Sequence, residues 1–315
     1  MANNPQINEK FKTTIGGQAL IEGIMMRGPE KQSIVVRSPE GIVVKTEELK
    51  LVSSRYPILR LPLIRGVVNF GSSMINGIKA LMYSADFFPE MEEEPSKFDL
   101  WLEKKLGSEK MEKAIIYFAL VLGLAFSVGM FILLPTFLAG FIPGIKGNFM
   151  LRNLIEGLLK IAIFLGYLAA VSRMKDMKRV FSYHGAEHKT IRCYEAKLPL
   201  TVENVRIQTR KHPRCGTSFL LVVVCISILC GVFIRFDNTL IRMGLHLLLL
   251  PLIVAVSYEI NRFVGRHDNW FTRILTAPGQ WMQNFTTNEP DDSMIEVAIT
   301  AVNAVLPEKE GADEW

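Results

Sequence analysis

The sequence predicts an α-helical integral membrane protein with four spans in two helical hairpins and a small α+β N-terminal cytosolic domain. Three observations carry that prediction. The 315 residues are 49% hydrophobic, with a mean hydropathy of +0.24, too apolar for an ordinary pair of soluble domains. Long apolar runs occur in two pairs, each joined by a short turn. Lys and Arg gather beside the same ends of those runs, so that one side of the bilayer receives nearly all the polar chain.

Taken in order, residues 1–14 are polar, with no apolar core or small-residue cleavage site, so no cleavable export signal is expected and the N-terminus should stay inside. From Gly16 to Glu30 glycines alternate with apolar residues, and Glu22 and Arg27 stand in apolar company. Two readings remain open there. The charges belong to a site, or they sit on a glycine-rich strand and turn and pair with each other, which is the simpler expectation. Ser33 to Lys45 alternates as a β-hairpin around Pro39, Glu40 and Gly41. Ile64 to Phe88 is an apolar helix with Arg65, Lys79 and Asp86, expected along the membrane surface or against the β domain rather than as a fifth span. An acidic linker, Glu90 to Glu94, leads into a charged helix, Phe98 to Lys113.

The expected spans are Ala114–Ile142 and Phe149–Val171, joined around Pro143 and Gly144, then Phe219–Ile234 and Leu240–Tyr258, joined around Asp237 and Asn238. A span needs about 20 residues to cross about 30 Å of hydrocarbon. Glu156 and Lys160, four apart in the second span, can pair and turn away from lipid. Eleven Lys and Arg lie between Arg173 and Arg214 and five between Lys97 and Lys113, against two in each short connection. The positive-inside rule then puts both termini and the central polar stretch in the cytosol. Beyond the last span, Trp270, Phe271, Trp281 and Phe285 with Arg262, Arg266 and Arg273 suit the membrane interface. A capping-box pattern, Ser293 with Glu296, predicts a final helix through Leu306. The resulting organisation is 1–96, cytosolic α+β domain with a membrane-associated helix; 97–171, charged helix and first hairpin; 172–217, cytosolic His/Cys stretch; 218–260, second hairpin; 261–315, interfacial and C-terminal helices.

Function concentrates between Tyr183 and Ser218, which holds three of the five histidines. It opens with HGAEH, His184 to His188, and closes with HPRCGTS, His212 to Ser218. On a helix, with His184 at 0°, His188 falls at about 40°, Glu187 at about −60° and Cys193 at about 180°. Two imidazoles thus share a face with a carboxylate beside them. Glu195 points the same way but lies about 10 Å beyond His188 and cannot join them on an unbroken helix. Histidines four apart are the usual helical half of a zinc site, and His-x-x-Glu-His is also the inverted peptidase motif. The other reading is a cytosolic loop whose histidines and acids only hydrogen-bond and pair with nearby Arg and Lys. Four Cys, two in an apolar run and two in the polar stretch, suggest reduced thiols rather than a disulfide framework. No basic run interleaved with aromatics suggests nucleic acid.

GGQALIEGIMMRGP (Gly16–Pro29), YHGAEHKT (Tyr183–Thr190), HPRCGTSF (His212–Phe219) and TTNEPDD (Thr286–Asp292) together make the chain similar, almost end to end, to the YqhQ-type family of uncharacterised bacterial multi-pass membrane proteins. Members have been carried as predicted metal-dependent enzymes, so the resemblance implies a bacterial cell-membrane location more than a chemistry. The first functional expectation is a cytosol-facing divalent-metal site, zinc foremost. His184 and His188 are its ligands, Glu187 is general base or supports a ligand from behind, and the third ligand is left open, with His212 and Cys215 ahead of Glu195 and Glu22. Such a site would make a hydrolase at the membrane surface. Cys215, before Gly216, Thr217 and Ser218 and beside Arg214, is expected at a helix start that favours thiolate. The second expectation is a non-catalytic scaffold for a membrane-protein partner, such as insertion machinery, with the basic stretch on the partner or on anionic lipid.

Overall fold

The computed structural model describes residues 11–49, 56–88, 118, 121–145, 147–309 and 311–315. The expected acidic linker and charged helix lie outside these residues. Two compact units emerge, Met1–Phe87 with Leu168–Ile226 and Pro251–Trp315, and Phe88–Tyr167 with Ser227–Leu250.

The first unit is built on a four-stranded antiparallel meander: β1 (Gly16–Leu20), β2 (Gly23–Arg27), β3 (Lys31–Ser38) and β4 (Gly41–Glu48), in sheet order 1-2-3-4. The β3–β4 hairpin closes on Ser38 opposite Gly41, and Gly41 takes φ +136°, as the alternation around Pro39 predicts. The glycine-rich stretch also forms a hairpin, turning at Ile21 and Glu22. Helix α1 (Ile64–Ala85) packs on the sheet: a Cβ on Gly77 would lie 2.2 Å from Gln18 Oε1. Its Arg65 pairs with Glu259.

One face of the sheet carries Ile24, Met26 and Val35 into a core with Tyr183, Ala186 and Ile191 of α4 (Lys175–Glu195) and Val297, Ala298, Ala301 and Val302 of α9 (Asp292–Asn303). Burying one such large side chain contributes roughly 1.5–3 kcal/mol. Between α4 and α9 come α5 (Val202–Arg206), α6 (Gly216–Gly231), α7 (Thr239–Arg266) and α8 (Trp270–Thr286). The last helix starts earlier than its Ser293 pattern predicts. Asp291 is the N-cap and accepts from the Met294 N–H at 3.0 Å, while the Ser293 hydroxyl donates to the same carboxylate. A carboxylate is the stronger acceptor for helix N–H groups and takes the position.

Among the described residues, three helices are long and apolar enough to cross a membrane: α2 (Val121–Gly140), α3 (Phe149–Val171) and α7. The apolar helix α6 has 16 residues, about 24 Å at 1.5 Å per residue, short of the usual 30 Å. In α2 the turn widens at Gly129–Leu133, just before Pro135, whose missing N–H leaves the regular ladder broken. In the second unit, buried Glu156 of α3 accepts from Arg152 at 3.2 Å and Arg242 at 2.9 Å, rather than pairing with Lys160 as its spacing predicts. A guanidinium forms two bonds to the carboxylate where an ammonium would form one.

Candidate functional site

Helix α4 presents His184 and His188 on one face, their rings 4.3 Å apart at the centroids. Each ring is fixed by a backbone carbonyl. His184 Nδ1–H donates to Thr286 O at 2.8 Å, and His188 Nδ1–H donates to Arg210 O at 2.6 Å. That tautomer leaves the Nε2 lone pair of each ring for another partner. His184 Nε2 lies 3.2 Å from Cys215 Sγ. One donor atom from each of His184, His188 and Cys215 falls within 4.8 Å of the other two. Ligands on a tetrahedral zinc stand about 3.5 Å apart, so about an ångström of movement would close the three around an ion.

Two glycines make this geometry accessible. A Cβ on Gly185 would stand 2.0 Å from Asn288 O, so only glycine lets the Thr286–Asn288 segment lie against α4 and deliver the carbonyl that orients His184. A Cβ on Gly17 would meet Met25 O at 2.5 Å. The bare Gly17 N–H donates instead to Glu187 Oε1 at 3.0 Å. Glu187 Oε2 is buried with no hydrogen-bond partner among the described residues. A buried carboxylate oxygen left so costs free energy unless something else meets it.

Cys215 stands just before α6, as expected, and its Sγ accepts from Thr217 N at 3.4 Å. Arg214 does not stabilise it, because that guanidinium bonds Glu195. Burial pushes the thiol up, but His184 and His188 more than offset this and hold it well below its ordinary value. Burial disfavours charge on His184 too, yet Cys215 outweighs it and raises the imidazole to about 9. Each thus favours the charged form of the other. Burial raises the Glu187 carboxyl against the pull of both histidines.

His212 is not brought into the group. Its Nε2 faces Glu195 Oε2 at 3.4 Å, its backbone N–H donates to Gln283 Oε1 at 2.8 Å, and burial lowers the imidazole pKa to about 4. Glu195 and Glu22 also face elsewhere. Glu22, at φ +49° in the β1–β2 turn, pairs with Arg179 and accepts from Tyr183 OH, so the expected Glu22–Arg27 pair is absent. Arg27 instead lines a cavity of about 440 Å³ together with Gly17, Gln32, His184, Glu187 and Cys215. Arg27 was one of the two charges the sequence offered to a site, whereas Gln32 and Trp315, which also line the cavity, escaped the sequence reading, since nothing in the residues around them marks a site.

The model of a family described as "Protein of unknown function (DUF1385)" matches residues 61–308. The uncharacterized protein YqhQ of Bacillus subtilis (strain 168) is 34% identical over 303 residues, covering 94% of this chain and 93% of that protein. No solved structure matches.

Proposed function

We propose, from the premise that this chain belongs to the DUF1385 family, that it is a membrane-embedded, metal-dependent hydrolase. His184, His188 and Cys215 hold one zinc-like divalent ion, with Glu187 as general base. The carrying observation is that both imidazoles have Nδ1–H tied to backbone carbonyls, with Cys215 Sγ and the partnerless Glu187 Oε2 in the same cavity. Fixed tautomers of this kind are how proteins orient histidine ligands. A bound zinc would supply Lewis acidity and lower the pKa of water at an open position. Glu187 Oε2 would be the group to accept a proton from a water in this cavity, and burial, which raises its pKa, brings it closer to neutrality, where proton transfer is most effective. The Gly17 N–H holds the other oxygen and fixes the carboxylate plane.

Elemental analysis of purified protein should find close to one zinc or similar ion per chain, and His184→Ala with His188→Ala should remove it. Full metal content in the double variant rules this site out. The 3.2 Å contact between Cys215 and His184 favours one further reading, Cys215 as a nucleophile with His184 as its acid and base. In that case metal-free protein keeps its activity. A scaffold for a membrane partner would require no converging donors, and their presence on a cavity favours chemistry.

We further infer four spans with both termini and 172–217 cytosolic, in a bacterial cell membrane. The three long apolar helices, the shorter α6 and the basic residues flanking them support this. Reporter fusions at Gly147 and Asn238 should read as external, and a cytosolic signal at either overturns the topology.

A further inference from the structure

One cation in the cavity has no part in the proposed hydrolytic step. Arg27 closes β2 and is partly buried, and its guanidinium has no hydrogen bond or ion pair among the described residues. A half-buried guanidinium with no counter-charge is costly, and burial lowers its pKa. Its neighbours in the sheet are as telling. Across β3 its register partner is Gln32, 8% exposed, whose Oε1 is also buried without a partner. Across β1 its partner is Gly16, and nothing lies within 4 Å of where a Cβ would stand. All three line the cavity that holds His184, Glu187 and Cys215. Among the described residues the row therefore offers an unpaired fork of N–H donors, an amide with no partner for its oxygen, and open space beside them.

We propose that Arg27, with Gln32 beside it, seats a phosphate group of the molecule this cavity takes up. The proposal deepens the hydrolase reading and rests on it for the fate of the ligand, which would be a phosphate ester. A guanidinium matches two phosphate oxygens with parallel N–H bonds. The Gln32 amide, turned to present its NH₂, supplies a further donor. Gly16 keeps the space a phosphate needs: a larger residue there would fill it without touching Arg27's charge. The phosphate could belong to a lipid headgroup or to a soluble ester, and the chemistry of the seat is shared by both.

The test measures binding of inorganic phosphate to the full chain in detergent by isothermal titration calorimetry, with and without added zinc. Arg27→Gln should weaken phosphate by about tenfold or more while zinc content is unchanged, and Arg27→Lys should recover part of the loss. Gly16→Leu should weaken it with Arg27 intact. Equal phosphate affinity in the parent and Arg27→Gln, or none in the parent, overturns the seat. Arg27-dependent phosphate binding in a protein that takes no zinc keeps the seat and removes the hydrolase reading. Zinc binding with Arg27-independent phosphate does the reverse. Displacement by dioctanoyl phosphatidic acid at concentrations where glycerol 3-phosphate has no effect assigns a lipid source, and equal displacement assigns a soluble one.

Discussion

Glu156 and Glu187 are both buried glutamates in helices, 2% and 5% exposed, and they differ in what meets their oxygens. Glu156 Oε1 accepts from Arg152 and Arg242, and its Oε2 accepts from Arg242 at 3.0 Å and faces His246 Nε2 at 3.4 Å. Among the described residues Glu187 has one backbone N–H on Oε1 and nothing on Oε2. Burial alone therefore does not separate a structural carboxylate from a chemical one. An unmet acceptor is what the proposed base role of Glu187 requires, because a fully bonded oxygen has no lone pair left with which to take a proton.

The comparison breaks most visibly at Glu156. Replacing it with Ala leaves two buried guanidiniums without their carboxylate, and should cost about 3–5 kcal/mol. This reads as a large fall in the thermal midpoint of detergent-solubilised protein, with zinc per folded chain unchanged. A loss below about 1 kcal/mol would show the network to be dispensable. Glu187→Gln keeps shape and the Gly17 bond while removing a charge that burial already disfavours. Stability should move by less than about 1 kcal/mol and zinc should remain, while hydrolysis of a generic phosphate ester falls by about 10²–10⁴. Undiminished turnover would remove Glu187 as base.

A smaller effect sharpens the contrast at His212. Burial holds its folded pKa near 4, below the ordinary 6.5, so the unfolded chain binds the extra proton between those values. The stability is present above about pH 6.5 and fades as pH falls toward 4. Between pH 7.5 and pH 5 this amounts to at most about 2 kcal/mol, and His212→Asn should flatten the dependence of the melting temperature on pH in that window. An unchanged slope would mean that another group governs it.

Several of these features were legible in the residues. The i, i+4 histidines with Glu187 needed only helical periodicity, and Cys215 before Gly-Thr-Ser needed only the grammar of helix starts. Periodicity also excluded Glu195 from the pair, and it lies with His212 and Arg214 instead. The carbonyls of Thr286 and Arg210 were not legible, because every residue carries one and nothing in a side chain marks which will be used. The same holds for the Gly17 N–H. Glycine signalled close approach at Gly17 and Gly185 without saying to what. Glu22 was assigned the nearest arginine in sequence, whereas the β1–β2 turn projects it toward Arg179 on α4. Four apolar runs were visible as such, but helix length in α6 depended on where Gly231 ends it.

The wall of the cavity also records the order of synthesis. Trp315 N–H donates to Lys12 O and its indole to Thr13 O, and Thr14 N–H donates to Asp313 O. The two sides of this wall thus lie some 302 positions apart in the chain, about 15–60 s of synthesis at ordinary elongation rates. By the end of that interval His184, His188 and Cys215 are already made, yet the chamber around them is closed only when Asp313 and Trp315 arrive. A chain cut before residue 313 would lack all three of these hydrogen bonds, and Lys12–Thr14 would stand at the chamber without the partners that hold them there.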